Sequence, residues 1–260
     1  MEKDLERRLE VAKLIAKEAG DFALAKRDNQ DFTISEKSLN DFVTTADKET
    51  ETLIYSKLHE AFKNDGFYGE EGEEVFGEGR WVVDPIDGTT NYFRNLPTWA
   101  VSIAYEKEFN HPLLGVIYAP CLNELFFAAK GYGAYKNNKK IQVSNVSNIE
   151  KAINVCVPPH RIKEKYNQYV EQLTKIGISS SDIRSLGTCA LELSYIACGY
   201  LDGYYELGLG YYDVAAGKII LEEAGGKFSA IGIDYEKKNK HFDILATNGK
   251  LHSWFEKEIL

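Results

Sequence analysis

Hydrophobic residues near the start of the chain recur at helical spacing. Between residue 4 and about residue 26, apolar side chains stand three or four positions apart, at Leu5, Leu9, Ala12, Ile15, Ala16, Ala19, Phe22 and Ala23. This pattern predicts an amphipathic helix. A second helix is expected from Thr45 to the Asn-Asp-Gly turn at 64–66, with Asp47 and Glu49 in its first turn, where acidic groups are favourable.

Shorter apolar runs follow, and they have the length of strands. Residues 81–83, Trp-Val-Val, predict a buried strand that Pro85 would end. Three further β-like segments, at 100–105, 114–118 and 125–129, come before turn signals at 131–135 and 137–138. The first half of the chain is therefore expected to form a mostly antiparallel sheet.

The second half alternates between strand and helix patterns. Strand-like runs at 153–157, 203–207 and 244–247 are interspersed with helical patterns at 163–176, 188–198 and 213–224. Alternation of this kind indicates a layered α/β architecture. Since no Gly, Pro or Ser linker divides the chain, we expect one domain over residues 1–260, with an α+β half (1–140) and an α/β half (141–260).

Composition excludes some classes of function. The 260 residues are 44% hydrophobic and carry a net charge of −9, which allows a sizeable core and argues against broad nucleic-acid binding. Every apolar run is shorter than the roughly 20 residues of a membrane helix, and the N-terminus has no signal-like apolar region. We therefore expect a cytoplasmic protein without membrane or direct nucleic-acid contact. The four cysteines form no C-x-x-C pair and are expected to be reduced and unreactive.

Candidate chemistry centres on residues 81–91, Trp-Val-Val-Asp-Pro-Ile-Asp-Gly-Thr-Thr-Asn. Asp84 and Asp87 are three residues apart across a turn, so both carboxylates and the Ile86 carbonyl can face one point. Hard oxygen ligands of this kind suit Mg²⁺. For this segment alone, an Asx-type turn in which the aspartates only bond to local backbone is the commoner outcome.

The next residues suit a phosphate group. Gly88 permits a close approach of the backbone, while Thr89 and Thr90 supply hydroxyls and N–H groups at the start of a turn or helix. Such N–H groups bind phosphate oxygens. A metal and a phosphate could thus occupy the same turn.

Three further acidic segments accompany this one. They are Asp-Phe-Val-Thr-Thr-Ala-Asp at 41–47, Gly-Glu-Glu at 69–71, and Tyr-Tyr-Asp-Val-Ala-Ala-Gly at 211–217, which leads to Glu-Ala-Gly-Gly at 223–226. In this order the segments resemble the inositol monophosphatase family, and the resemblance covers nearly the whole chain. It implies a five-layered αβαβα sandwich, a phosphatase with two or three Mg²⁺ ions per site, inhibition by lithium and a homodimer.

The resemblance also implies a set of metal ligands. One Mg²⁺ would be held by Glu70, Asp84 and the carbonyl of Ile86, and a second by Asp84, Asp87 and Asp213. A third, weaker ion would share Glu70 with water. Without cations, these carboxylates would repel one another if the fold brought them together.

By the same resemblance, Glu70, Thr89 and Asp47 are the catalytic residues that position and deprotonate a water molecule. The implied substrate contacts are Asp87, Gly88, Thr89, Thr188, Cys189, Glu206 and Asp213. Taken alone, Asp47 and Asp213 could each be helix caps, with Asp213 at the start of its helix, and Glu206 could be a solvated strand end.

The chain departs from the family pattern near the substrate. Tyr212 stands where members commonly have Trp, and Gly210 where some have His, which predicts a remodelled wall. Arg94 shifts a basic charge by one residue beside the site. Lys37 is a candidate for a family lysine in a loop, but no role is assigned to it.

These observations lead to three hypotheses. The first is Mg²⁺-dependent hydrolysis of a small polyol or sugar phosphate, foremost inositol 1-phosphate, by a metal-activated water. The second keeps this chemistry but uses fructose 1,6-bisphosphate, histidinol phosphate, a 3′-phosphoadenosine nucleotide or NADP. The third is a regulatory partner in a transcription complex, a role that the family resemblance also allows.

Overall fold

The computed structural model describes residues 2–38, 41–160, 162–232 and 241–260. The chain begins with helix α1 (Lys3–Asp28), followed by a small antiparallel hairpin of β1 (Ile34–Ser38) and β2 (Asp41–Thr44), and then by helix α2 (Thr45–Ala61). Both amphipathic helices predicted from the sequence are therefore present. No helix in the described ranges is long and apolar enough to cross a membrane.

A seven-stranded sheet occupies the first half. Its strands lie side by side in chain order: β3 (Gly66–Gly69), β4 (Arg80–Asp87), β5 (Ala100–Glu106), β6 (Pro112–Ala119), β7 (Glu124–Ala129), β8 (Gly133–Lys136) and β9 (Lys139–Ile141). Only the β3–β4 pair is parallel, and the other neighbouring pairs are antiparallel. A short helix, α3 (Thr89–Phe93), connects β4 to β5.

The second half forms a five-stranded sheet with four helices. In chain order the elements are β10 (Ile153–Cys156), α4 (Tyr166–Ser179), β11 (Asp182–Arg184), α5 (Cys189–Ala197), β12 (Gly203–Gly210), α6 (Tyr211–Glu223), β13 (Lys227–Ile231), β14 (His241–Thr247) and α7 (His252–Glu258). The strand order is β11-β10-β12-β14-β13. Strand β10 runs parallel to both of its neighbours, and β14 runs antiparallel to both of its own.

Alternating side chains divide the core into layers. Along β4, Trp81 and Val83 pack with α1 and α2, whereas Val82 belongs to the middle cluster with α5 and α6. Along β12, Tyr204 faces that middle cluster and Tyr205 packs with α4 and α7. Since successive strand residues point to opposite faces, each sheet is covered by helices on both sides. The predicted αβαβα sandwich is confirmed.

The middle layer joins the two halves through a close approach of backbone. Gly115 on β6 lies against Ala216 of α6, and a Cβ placed at Gly115 would be 2.6 Å from the Ala216 carbonyl oxygen. Helix α6 can therefore pack tightly on the first sheet only because position 115 has no side chain. This contact matters for the site, because Asp213 is in the first turn of α6. The single-domain organisation stays a prediction.

Two local expectations are wrong. Strand β4 does not end at Pro85 but continues to Asp87, with a register irregularity between Asp84 and Asp87; a proline without an N–H donor is tolerated at such a bulge. Residues 133–136 form a strand where only turn signals were expected. Other unpredicted strands are only three to five residues long, too short to show a period: β1, β2, β3, β9, β11 and β13.

Candidate active site

Three buried aspartates from the two halves of the chain meet at one point. Asp84 and Asp87 flank the irregularity of β4, and Asp213 comes from the first turn of α6. One carboxylate oxygen from each lies within 4.8 Å of the others. The structure thus brings together predicted metal ligands from the first half of the chain, Asp84 and Asp87, and from the second half, Asp213.

Each aspartate is oriented by bonds from the backbone. Asp84 Oδ1 accepts the Ile86 N–H at 3.0 Å, and Asp213 Oδ2 accepts the Gly210 N–H at 2.6 Å. Asp213 is the third residue of α6, so the expectation that it starts the helix is wrong: the helix begins at Tyr211. A carboxylate has several acceptor sites, so this capping bond is compatible with cation binding.

Asp87 is held by the start of α5. Its Oδ2 accepts the Thr188 hydroxyl at 2.5 Å and the Ala190 N–H at 2.6 Å. Thr188, a predicted substrate contact, therefore bonds to a predicted metal ligand. Cys189 lies beside it as a buried thiol, and burial raises its pKa well above the usual value. All four cysteines are free, as expected.

The electrostatics of this cluster favour a bound cation. Burial raises the pKa of Asp84 well above its usual range, and the neighbouring charges of Glu70, Asp87 and Asp213 raise it further. Burial also raises the pKa of Asp87. No lysine or arginine is found among the described residues that line the adjoining cavity. The carboxylates fit a divalent cation because it would supply the positive charge that the cavity wall lacks.

Glu70 and Asp47 belong to the same acidic region at greater distance. Glu70 lines the cavity and acts electrostatically on Asp47 and Asp84 but is outside the group of three close aspartates. Asp47 is the third residue of α2 and forms a capping box with Thr44, whose N–H and hydroxyl donate to Asp47 Oδ2 at 2.8 and 2.6 Å. The helix-capping alternative for Asp47 therefore applies.

Asp47 also has a bond directed towards the site. The Thr89 hydroxyl lies 3.1 Å from Asp47 Oδ1 and 3.2 Å from the Ile86 carbonyl oxygen. A hydroxyl has only one proton, and the carboxylate is the stronger acceptor. Burial raises the pKa of Asp47 to about 6. Capping the helix and bonding to Thr89 use different oxygens of this carboxylate.

Gly88 places Thr89 and α3 beside the aspartates. Its φ of +91° is in the left-handed region, which residues with a side chain rarely adopt. A Cβ there would also meet the carbonyl oxygens of Gly187 at 3.1 Å and Thr98 at 3.2 Å. The glycine expected at the phosphate turn is thus required by both backbone conformation and space.

A cavity of about 330 Å³ extends from the aspartates to the second sheet. Glu206 lines its far side and is only 8% exposed, so the alternative of a solvated strand end is wrong. The Tyr204 hydroxyl donates to Glu206 Oε2. Apolar residues complete this end of the cavity: Val157, Pro158, Pro159, Leu207 and Leu209. A small ligand with a polar end near Glu206 fits this space.

Among the described titratable residues that line the cavity, two were not predicted from the sequence, Glu192 and His160. The sequence did contain a signal for Glu192, because a single charged residue in the otherwise apolar helix α5 indicates a buried carboxyl group. Conversely, the described residues lining the cavity do not include Gly210 or Tyr212, which were expected to shape its wall, or Arg94, which was expected to place a basic charge beside the site. The side chain of Lys37 lies outside the described part of the chain.

The layered fold and its central acidic cluster define the class of protein as a metal-dependent phosphate-ester hydrolase. The family model of the inositol monophosphatase family matches residues 4–259, and the chain belongs to this family. Members of the family are generally metal-dependent phosphatases that bind phosphorylated substrates, which agrees with the acidic cluster.

Individual relatives have two kinds of name. The chain is 37% identical over 200 residues to an inositol-1-monophosphatase of Mesorhizobium japonicum, covering 76% of this chain and 75% of that protein. It is 35% identical over 233 residues to the Nus factor SuhB of Vibrio cholerae, covering 87% of each. A crystal structure of the extragenic suppressor protein SuhB from Bartonella henselae superposes with a TM-score of 0.90 at 34% identity, covering 97% of this chain and 98% of that one.

Proposed function

We propose that this phosphatase hydrolyses inositol 1-phosphate to inositol and phosphate with Mg²⁺ as its metal. The observation that carries the proposal is the convergence of Asp84, Asp87 and Asp213 at one end of a cavity whose other end presents Glu206. The acidic end suits metals that bind a phosphate, and the Glu206 end suits the hydroxyls of a polyol. The name of the Mesorhizobium relative supports this substrate.

The proposed metal ligands are those that the family resemblance implies, and the meeting of Asp84, Asp87 and Asp213 supports them. Glu70, Asp84 and the Ile86 carbonyl would hold one Mg²⁺, while Asp84, Asp87 and Asp213 would hold a second. A third ion would be shared between Glu70 and water. When bound, the ions would lower the pKa of water and stabilise the charge of the leaving alkoxide.

Thr89 and Asp47 would control the proton of the attacking water. With its own proton directed to Asp47 Oδ1, the Thr89 oxygen can accept a hydrogen bond from a water molecule in the cavity. The proton can then pass through Thr89 to Asp47, whose pKa of about 6 lets it accept a proton near neutral pH. Glu70 would assist through the metal ion that it helps to hold.

The remaining contacts would orient the ester. Gly88 and Thr89 would approach the phosphate beside Asp87 and Asp213. At the other end, Glu206 would accept hydrogen bonds from substrate hydroxyls, with Thr188 and Cys189 along the wall between the two ends. A polyol monophosphate uses both ends of the cavity, whereas a simple alkyl phosphate would use only one.

Phosphate release across a substrate panel tests this proposal. We expect inositol 1-phosphate to have the highest kcat/KM among inositol 1-phosphate, fructose 1,6-bisphosphate, histidinol phosphate, a 3′-phosphoadenosine nucleotide and NADP. Activity should need Mg²⁺ and disappear with a chelator. A higher kcat/KM for another ester would reject the substrate, and full activity in the chelator would reject the metal. Lithium inhibition and a homodimer stay predictions from the family.

Thr89→Val separates proton transfer from binding. The valine has nearly the same shape but no hydroxyl, so kcat should fall by about 10²-fold or more while KM changes little. Thr89→Ser keeps the hydroxyl and is the matched control that should retain most activity. Steady-state kinetics at saturating Mg²⁺ measure both constants; equal kcat values for the valine and serine variants would contradict the role of this hydroxyl.

A role as a regulatory partner in transcription is a second candidate, which the name of the Vibrio relative favours. The two functions separate in a variant that folds but cannot hold its metals. A transcription role would persist in such a variant in a cell-based transcription assay, whereas phosphate release would not.

A further inference from the structure

Glu192 lies beneath the cavity between the metal end and the polyol end. It is on α5 and is completely buried. Its Oε1 accepts the N–H of Leu186 at 2.5 Å, while the Leu186 carbonyl accepts the Asn91 side-chain amide at 2.7 Å. These two bonds hold the turn at residues 186–188 from both sides.

That turn leads directly to the metal ligands. Gly187 has a φ of +73°, so the turn has a conformation that glycine adopts readily. The next residue, Thr188, donates its hydroxyl to Asp87 at 2.5 Å. Glu192 is therefore connected to Asp87 through the turn that it orients.

Glu192 also lies near Tyr204, in the cavity lining that includes Glu206. Its Oε2 is fully buried and has no hydrogen-bond partner among the described residues. Nearby, the Tyr204 hydroxyl donates to Glu206, and it is close enough to Glu192 to lower the pKa of that carboxyl. A buried carboxyl oxygen without a hydrogen-bond partner lowers the stability of the fold. The retention of Glu192 beside the Tyr204–Glu206 pair therefore points to a role for its carboxyl group.

We propose that Glu192 is a positioning residue that fixes the turn at 186–188 and, through Tyr204, the orientation of Glu206 towards the alcohol part of the substrate. Burial raises the pKa of Glu192 to about 8 and raises the pKa of Glu206 well above its usual range, which favours a protonated carboxyl in this pair. With the proton on Glu192, that carboxyl can donate to the Tyr204 oxygen. Tyr204 then keeps its own proton directed to Glu206, which leaves Glu206 as an acceptor for substrate hydroxyls.

The inference rests on the proposed function, since Glu206 must contact a substrate hydroxyl. It predicts that changes at Glu192 reduce activity on a hydroxyl-bearing ester more than on an ester without hydroxyls, because Glu206 contacts only the first ester while the turn at 186–188 serves both. The useful pair of substrates is inositol 1-phosphate and 4-nitrophenyl phosphate, because the alcohol part of the second has no hydroxyl that could donate a hydrogen bond to Glu206. The measured quantity is the ratio of their kcat/KM values.

Glu192→Ala should raise KM for inositol 1-phosphate by about tenfold or more, since the orientation of a buried hydrogen-bonding group is lost. For 4-nitrophenyl phosphate, kcat/KM should fall less, so the ratio of the two kcat/KM values should drop by about threefold or more. Glu192→Gln should behave like the wild type, because its amide keeps an acceptor for Leu186 and a donor for Tyr204. A matched control is Ser194→Ala, since Ser194 is a buried polar residue on the same helix whose hydroxyl donates to the Ala190 carbonyl within that helix.

Tyr204→Phe keeps the test decisive if the alanine variant does not fold, because it removes only the hydroxyl between the two glutamates. Its KM for inositol 1-phosphate should rise in the same direction. Equal losses on both substrates, an unchanged ratio in Tyr204→Phe, or a glutamine variant as impaired as alanine would each overturn the proposal.

The outcomes distinguish this inference from the proposed function. If the wild type prefers another hydroxyl-bearing ester, the inositol proposal fails, and the ratio is measured with that ester in place of inositol 1-phosphate. If the wild type is active and the ratio does not respond to Glu192→Ala or Tyr204→Phe, the positioning role fails while the proposed function stands.

Discussion

Asp84→Asn is expected to abolish phosphate release and leave the fold intact. The change removes the charge that two metal ions would share but keeps an oxygen that can accept the Ile86 N–H. Loss of a bridging ligand charge should lower kcat by about 10³-fold or more. Phosphate release at saturating Mg²⁺ measures the loss, and circular dichroism verifies the fold.

The same variant should be more stable than the wild type when no metal is present. Burial and the charges of Glu70 and Asp87 raise the folded-state pKa of Asp84 above its ordinary value of 3.8. A raised carboxyl pKa means that stability present at acidic pH is lost as pH rises through the folded-state pKa. Asparagine does not ionise, so the advantage of the variant should grow as pH rises above 3.8, up to the folded-state pKa of Asp84.

Thermal unfolding in a chelator tests this second effect. The Tm of Asp84→Asn should exceed that of the wild type at pH 8, and Mg²⁺ should raise the wild-type Tm more than that of the variant. Asp28→Asn is the control, because Asp28 is 59% exposed and pairs with Arg27 on the surface. A variant with wild-type turnover, or with a lower Tm in chelator at pH 8, would contradict the shared-ligand assignment.

Gly115→Val should produce the largest loss of stability. Valine suits a strand, but its Cβ would be 2.6 Å from the Ala216 carbonyl oxygen and would meet the side chain of Ile219 at 2.8 Å. Helix α6 would have to move away from the first sheet. Overpacking of this kind costs about 3 kcal/mol or more, which corresponds to a Tm lower by roughly 6 to 12 °C.

Activity should fall with stability in this variant, because α6 holds Asp213 against Asp84 and Asp87. Calorimetry and phosphate release at a temperature well below Tm measure the two effects. Gly177→Ala is the control: Gly177 is exposed on α4, and an added Cβ would meet only the Ile183 side chain, at 3.5 Å. That variant should keep full activity. A Gly115→Val protein with unchanged Tm would show that α6 does not need this close approach.

The amino-acid sequence by itself determined the local parts of the site. Asp84, Ile86, Asp87, Gly88 and Thr89 are neighbours in the chain, so one bulge and one left-handed glycine position all of them together. The long amphipathic pattern likewise predicted α1, because periodicity over 26 residues identifies a helical face. Shorter elements such as β9, with three residues, contain too little of a period to be recognised.

Only the tertiary structure decided which distant residues complete the site. Asp213 meets Asp84 because α6 packs between the two sheets, and Thr188 bonds to Asp87 because α5 lies beside it. The same packing buries Glu206 and Glu192 at the cavity and leaves Arg94 outside its lining. Such contacts join residues about a hundred positions apart, and they depend on how two sheets and their helices fill one core, which no local pattern of hydrophobic and polar positions encodes.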